Sequence, residues 1–212
     1  MLAADFPYRL YLVLAADSCA GRDFVAVAEA AVRGGVDLVQ LREKHAAPAE
    51  FRARAERLGA CLTRYGVPLI INDNLAVAQQ VGAAGIHVGN HDLPPTYIRA
   101  AWPGCGLLGY SIEYTTQLGT PEAAAADYLG ISPVFRTLTK ADTVTEWGLA
   151  GVRAIRAATC QPLVAIGNIN AGNARAVTQA GASCLAVVSA ICQAADPERA
   201  AFALRNELEK AN

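Results

Sequence analysis

The segment "VQLREK" at residues 39–44 places Gln40, Arg42 and Lys44 at alternate positions. Alternate side chains of an extended chain share one face, so an amide and two cations would point the same way. That set suits a phosphate or carboxylate, and a guanidinium can grip two of its oxygens at once. The competing use is an ion pair with the intervening Glu43, or a solvated strand tip. A second polar cluster lies in "SPVFRTLTKAD", residues 132–142, where an apolar run opens into Arg136, Thr137, Thr139 and Lys140. Two hydroxyls and two cations there read as a solvated loop or as an anion clamp. Asn72 and Asp73 close the apolar run "PLIIND", and Asp92 stands in "GNHDLP". Such residues commonly cap the next helix. Carboxylates from neighbouring strand ends could instead meet at one Mg²⁺, which favours few protein carboxylates, retained waters and phosphate oxygens.

Further polar residues end other apolar runs. Ser111 closes "LLGYS", Gly167 and Asn168 follow "VAI", and Ser189 follows "AVV". A glycine lets a backbone approach an anion closely, and Asn tolerates positive φ better than most residues. His87 lies inside an apolar run and reads as a satisfied wall residue, while His45 and His91 fall in loops. Three histidines so dispersed do not form a metal triad. No G-x-S-x-G elbow is present, and nothing marks Cys105 as an activated nucleophile.

These residues need a scaffold that brings strand ends together. Short, nearly continuous apolar runs recur at 9–15, 37–43, 68–73, 85–89, 107–111, 127–134, 162–167 and 184–190. Such runs fit parallel strands covered on both faces. Alanine-rich segments of helical period lie between them. In "FVAVAEAAV", for example, Phe24, Val25, Val27, Ala28 and Ala31 share one face. Glycines in "RGGVDLVQ", "RYGVPLI", "AAGIHV" and "QAGASCLAV" read as helix ends just before a strand. About eight strand–helix units predict an α/β fold, a single (β/α)₈ TIM barrel over residues 1–212. A doubly wound open sheet is the alternative, but the first strand–helix turn lacks a glycine-rich dinucleotide fingerprint. In a barrel, functional residues gather at the C-terminal ends of the strands.

The net charge of −1 excludes a global field for nucleic acid or membrane, so any anion site must be local. Six cysteines, at 19, 61, 105, 160, 184 and 192, form no CxxC pair. With no secretory signal or long apolar run, they read as reduced thiols of a cytoplasmic protein. Exposed alanine-rich helices are compatible with a homodimer.

Taken in order, "VQLREK", "GVPLIIND", "GIHVGNHDLP", "GYS", "SPVFRTLTKAD", "VAIGNIN" and "AVVSAI…DP" resemble thiamine phosphate synthase, within a superfamily that also holds a thiazole tautomerase. The resemblance runs from about Tyr11 to about Pro197. It implies a (β/α)₈ barrel that joins an aminopyrimidine methyl diphosphate to a thiazole phosphate and releases pyrophosphate. Small phosphorylated heterocycles would be the partners and Mg²⁺ the cofactor. By resemblance, Gln40, Arg42, Lys44 and Asn72 bind the pyrimidine diphosphate, and Asp73 and Asp92 bind the metal. Ser111 and Lys140 meet pyrophosphate, with Arg42 and Lys44 also stabilising its departure. Thr137 and Thr139 lie near the two phosphates, and Gly167, Asn168, Val188 and Ser189 cradle the thiazole phosphate.

The chain departs from the family pattern at the site itself. Asn168 replaces a glycine, Arg136 a proline and Ser132 a glycine, and Glu113 stands where a histidine is frequent. A histidine in that neighbourhood is the proposed acid/base of the tautomerase, so Glu113 favours the synthase. The alternatives are a tautomerase-like paralogue and a non-catalytic thiazole or thiamine phosphate binder.

Overall fold

Leucine, isoleucine and valine runs of four to six residues form the strands, since β-branched and apolar side chains fit a pleated surface buried on both faces. The computed structural model describes residues 6–136 and 145–211. The strands are β1 (Leu10–Leu14), β2 (Leu38–Leu41), β3 (Leu69–Asn72), β4 (Gly85–Val88), β5 (Leu107–Ile112), β6 (Tyr128–Ile131), β7 (Leu163–Ile166) and β8 (Cys184–Val187). Each pairs in parallel with the next, and β8 returns to β1 with Tyr11 opposite Ala186. The result is a closed eight-stranded parallel barrel, as the alternating pattern predicts.

Two apolar compartments follow from strand alternation. Tyr11, Val13, Leu38, Ile70, Tyr128, Val164, Cys184 and Ala186 fill the barrel interior. The other strand face packs against helices, among them α1 (Phe24–Arg33), α2 (Pro48–Thr63), α3 (Leu75–Gln80) and α4 (Pro95–Ala101). The ring continues with α5 (Pro121–Ala125), α6 (Gly148–Ala158), α7 (Ala174–Gln179), the short α8 (Ser189–Cys192) and α9 (Pro197–Glu209). The Asp23 side chain caps α1 at Val25 N, and the helix buries Phe24, Val27, Ala28 and Ala31 of the expected face, with Val25 half-buried at its edge. Asp196 caps α9 at Arg199 N, and Pro197 occupies its first turn. No helix among the described residues is long and apolar enough to cross a membrane.

Two expectations need correction. The eighth run does not stay extended to residue 190. Val188 leaves the β region at φ −119°, ψ −86°, and α8 begins at Ser189. Gly85 is also not a helix end but the first residue of β4. A Cβ there would lie 1.9 Å from the Leu107 carbonyl oxygen, so glycine is required by the approach of β5.

The N-terminal end of the barrel is closed by packing and by one carboxylate. The Phe6 ring lies 5.2 Å from both Tyr8 and Tyr128. Asp37 Oδ1 accepts from the main-chain N–H of Arg9 (3.1 Å) and Leu10 (3.0 Å), and its Oδ2 pairs with Arg205 at 2.6 Å. This joins β1, β2 and α9 at one point. Asp37→Ala removes the acceptor of two main-chain N–H groups and should lower unfolding free energy by about 2–4 kcal/mol in urea denaturation. Asp37→Asn, which keeps an acceptor, should lose less.

Candidate active site

At the C-terminal end of β2 the period-2 reading holds. Gln40 is buried inside the barrel, and Arg42 and Lys44 line the mouth beyond it. Glu43, the alternative partner of these cations, is engaged elsewhere. Its Oε1 accepts from Ala16 N at 2.8 Å, and its Oε2 pairs with Arg54 on α2. Arg54 in turn meets Glu50 one turn earlier. Glu43 therefore clamps the strand end from outside.

Asn72 and Asp73 end β3 without capping the next helix, because the Asn74 side chain accepts from Val77 N and performs that task. Asp73 sits at φ +60°, a conformation that non-glycine residues keep only where the surroundings hold it. Its main-chain N–H donates to His87 O at 2.9 Å, which turns the residue into the mouth. Nor does Asp92 cap α4, whose N-terminal position is Pro94. Asp92 Oδ2 accepts from Gly89 N at 2.8 Å and so folds the loop after β4 back over the barrel.

The two carboxyl groups meet. Burial, then a hydrogen bond and like charge from Asp92, push the Asp73 carboxyl up to about 6, against the pull of Lys44. Lys44 Nζ lies 3.4 Å from Asp73 Oδ2. Two carboxylates that repel each other at a polar mouth could serve a hard divalent cation, which takes oxygen ligands and fills the rest of its shell with water or phosphate. Among the described residues no group of three or more His, Cys, Asp or Glu could hold a metal ion.

Below the carboxylates the floor is polar and satisfied. Gln40 Nε2 donates to Tyr11 Oη at 2.7 Å. Ser111 Oγ lies 2.8 Å from His87 Nε2, His87 Nδ1 lies 3.1 Å from Tyr128 Oη, and the two tyrosine oxygens are 3.1 Å apart. His87 is thus a satisfied wall residue, as its position in an apolar run predicts, and it also lines the hollow.

A second hollow adjoins the first. Gly167, Asn168, Val188 and Ser189 line it, together with Arg42 and Ser132. Gly167 adopts φ +118°, and a Cβ there would lie 2.6 Å from Pro133, so the neighbour that needs its bareness is the loop after β6. Asn168 sits at φ +48°, the positive region its type tolerates, and its carbonyl accepts from Asn173 Nδ2 at 2.9 Å. Arg42, Ser132 and Ile166 belong to both hollows.

The structure therefore brings Gln40, Arg42, Lys44, Asn72, Asp73, Asp92 and Ser111 to one hollow, and Gly167, Asn168, Val188 and Ser189 to the next. Thr137, Thr139 and Lys140 lie outside the described residues. Arg136 is described and exposed. Sequence reasoning missed Tyr11, Tyr128 and Glu43. The first two stand at inward positions of "LYLVL" and "YLGI", where alternation was the available signal. Glu43 was weighed only as a partner of the cations beside it.

Comparison with known proteins identifies the family. Residues 10–191 match the family described as thiamine monophosphate synthase. A thiamine-phosphate synthase of Albidiferax ferrireducens is 47% identical over 201 residues, covering 95% of this chain and 92% of the relative. One from Chloroflexus aurantiacus is 45% identical over 198 residues, covering 93% and 91%. The solved structure of a thiamine phosphate pyrophosphorylase from Pyrococcus furiosus superposes with a TM-score of 0.87 at 30% identity, covering 96% of each chain.

Because Arg42 faces both hollows, Arg42→Ala should weaken binding of inorganic pyrophosphate by about 10–100-fold in calorimetry, the loss expected for one charge-assisted contact. Unchanged binding would mean that the guanidinium does not serve the anion.

Proposed function

The chain belongs to the thiamine monophosphate synthase family, and we propose that its two hollows hold the two substrates of that reaction side by side. The first would take 4-amino-2-methyl-5-hydroxymethylpyrimidine diphosphate and the second the thiazole phosphate. The observation that carries this reading is the shared wall. A hollow rimmed by two cations and two carboxylates opens into one lined by a glycine–asparagine turn, with Arg42 common to both.

The chemistry follows from the residues. The C–O bond between the pyrimidine methylene and the diphosphate breaks, leaving positive charge on the electron-rich aminopyrimidine and negative charge on oxygen. Arg42 and Lys44 stabilise the departing charge, and the Ser111 hydroxyl adds a hydrogen bond. Gln40 and Asn72, both buried, hold the pyrimidine in the floor. The thiazole nitrogen then forms the new C–N bond. Gly167, Asn168, Val188 and Ser189 hold the thiazole phosphate so that its ring nitrogen faces the methylene. No step needs a protein nucleophile. Thr137, Thr139 and Lys140 join this set on sequence resemblance. Asp73 and Asp92 would hold Mg²⁺, which when bound neutralises diphosphate charge. The small phosphorylated substrates fit a cytoplasmic enzyme, and a homodimer is the assembly we propose for it.

The deciding assay combines purified protein, both heterocyclic substrates and Mg²⁺. Thiamine phosphate and pyrophosphate should form in equal amounts and stop on addition of EDTA. An isomerised thiazole without coupling would instead identify a tautomerase, and binding without turnover a sensor. Asp92→Ala should reduce kcat/KM for the pyrimidine diphosphate by about 100-fold, the scale of one lost electrostatic contact to developing charge. It should also raise the Mg²⁺ concentration needed for half-maximal rate. An unaltered Mg²⁺ dependence would remove Asp92 from the metal site.

A further inference from the structure

A continuous line of five hydrogen-bonding side chains runs through the barrel beneath the first hollow. It passes from Ser111 on β5 to His87 on β4, Tyr128 on β6, Tyr11 on β1 and Gln40 on β2. Between Tyr128 and Tyr11 it crosses the interior instead of following the wall. Space for it is built into the strands. A Cβ at Gly109 would lie 2.2 Å from Tyr128 Cζ and 2.3 Å from His87 Nδ1, at the point where the two rings meet. A Cβ at Gly130 would lie 3.1 Å from His87 Cε1. Interior strand glycines weaken a sheet, so their presence at these two places points to the side chains they admit.

Proton counting gives the line a direction. Burial pushes both phenols well above their ordinary range, so each keeps one O–H. Gln40 Nε2 donates to Tyr11 Oη, and among the described residues the remaining partner of that oxygen is Tyr128. In this orientation of Gln40, one proton per phenol has Tyr11 donating to Tyr128 and Tyr128 donating to His87 Nδ1. An imidazole that accepts at Nδ1 carries its proton on Nε2 and donates it to Ser111 Oγ. The Ser111 proton is then left over at one end of the line and the Gln40 carbonyl oxygen at the other, in two residues that both line the first hollow. A flipped Gln40 amide reverses every bond in the line, so the two ends exchange polarity together.

We propose that Tyr11, Tyr128 and His87 are positioning residues that fix, through this line of hydrogen bonds, an acceptor at Gln40 for the substrate's amino group and a donor at Ser111 for its departing diphosphate. No proton moves along the line during the reaction. The proposal rests on the synthase reading for its two ligand groups, while the proton order rests on the protein alone.

The test has two arms. ¹⁵N NMR of the unliganded wild-type protein reads the His87 tautomer directly, and the Nε2–H form is expected. Tyr128→Phe cuts the line midway, at a fully buried residue below the hollow. It should lower kcat/KM for the pyrimidine diphosphate about tenfold while leaving KM for the thiazole phosphate unchanged. A merely structural tyrosine would lower stability without that split between substrates. A dominant Nδ1–H tautomer in the wild type, or an unaltered kcat/KM in a folded Tyr128→Phe variant, overturns the proposal. If the wild-type chain forms no thiamine phosphate, the functional reading fails, and the imidazole spectrum alone decides the proton order.

Discussion

Parallel pairing of β8 with β1 is the constraint on which the rest of this protein depends. Closure leaves no sheet edge and gives every strand the same direction. All C-terminal strand ends then open at one mouth, and every second residue of each strand faces one interior. Gln40, Asn72, His87 and Ser111 are remote in sequence, yet that geometry turns them toward a common space. An open sheet with the same strands would carry them along a line, with no opposite wall to enclose a hollow.

Closure also creates a requirement. Side chains inside a barrel of this size are cut off from water, so each polar one needs a partner. Toward the N-terminal end the interior is satisfied by apolar packing around Leu38, Ile70 and Cys184. Higher up it is satisfied by tyrosine, histidine and amide groups that bond to one another across the space. The change from apolar to polar within one interior lets an apolar core and the floor of the first hollow be parts of the same compartment. Main-chain hydrogen bonds extend that order to the rim, where Asp73 N meets His87 O and Arg42 N meets Leu14 O.

The rim shows how competing uses of a residue type are resolved. Asn72, Asp73 and Asp92 had an ordinary alternative as helix caps, and Arg42 and Lys44 had one as partners of Glu43. The structure assigns those ordinary tasks to other atoms. Asn74 caps α3, and Pro94 occupies the N-terminal position of α4. Arg54 and the Ala16 amide take the Glu43 carboxylate. Carboxylates and cations released in this way face one another at the mouth. The left-handed backbone of Asp73 and its raised proton affinity are physical signs of that gathering.

The order of elements, the eight apolar runs and the polar residues that end them were legible in the sequence, because alternation and helical period are local properties. Local spacing also put Gln40, Arg42 and Lys44 on one face. Two kinds of feature were not legible. Gly85, read as a helix end, owes its identity to a carbonyl of the next strand, and Val188 leaves the strand at a place that apolar character alone does not mark. The meeting of Tyr11 with Tyr128 was not legible either, since nothing in either strand says that their hydroxyls approach each other across a barrel. The sequence by itself determined which residues point inward and in what order the strands come. Only the tertiary structure decided which inward groups touch, because contacts across a closed sheet depend on stagger and closure, which no single strand encodes.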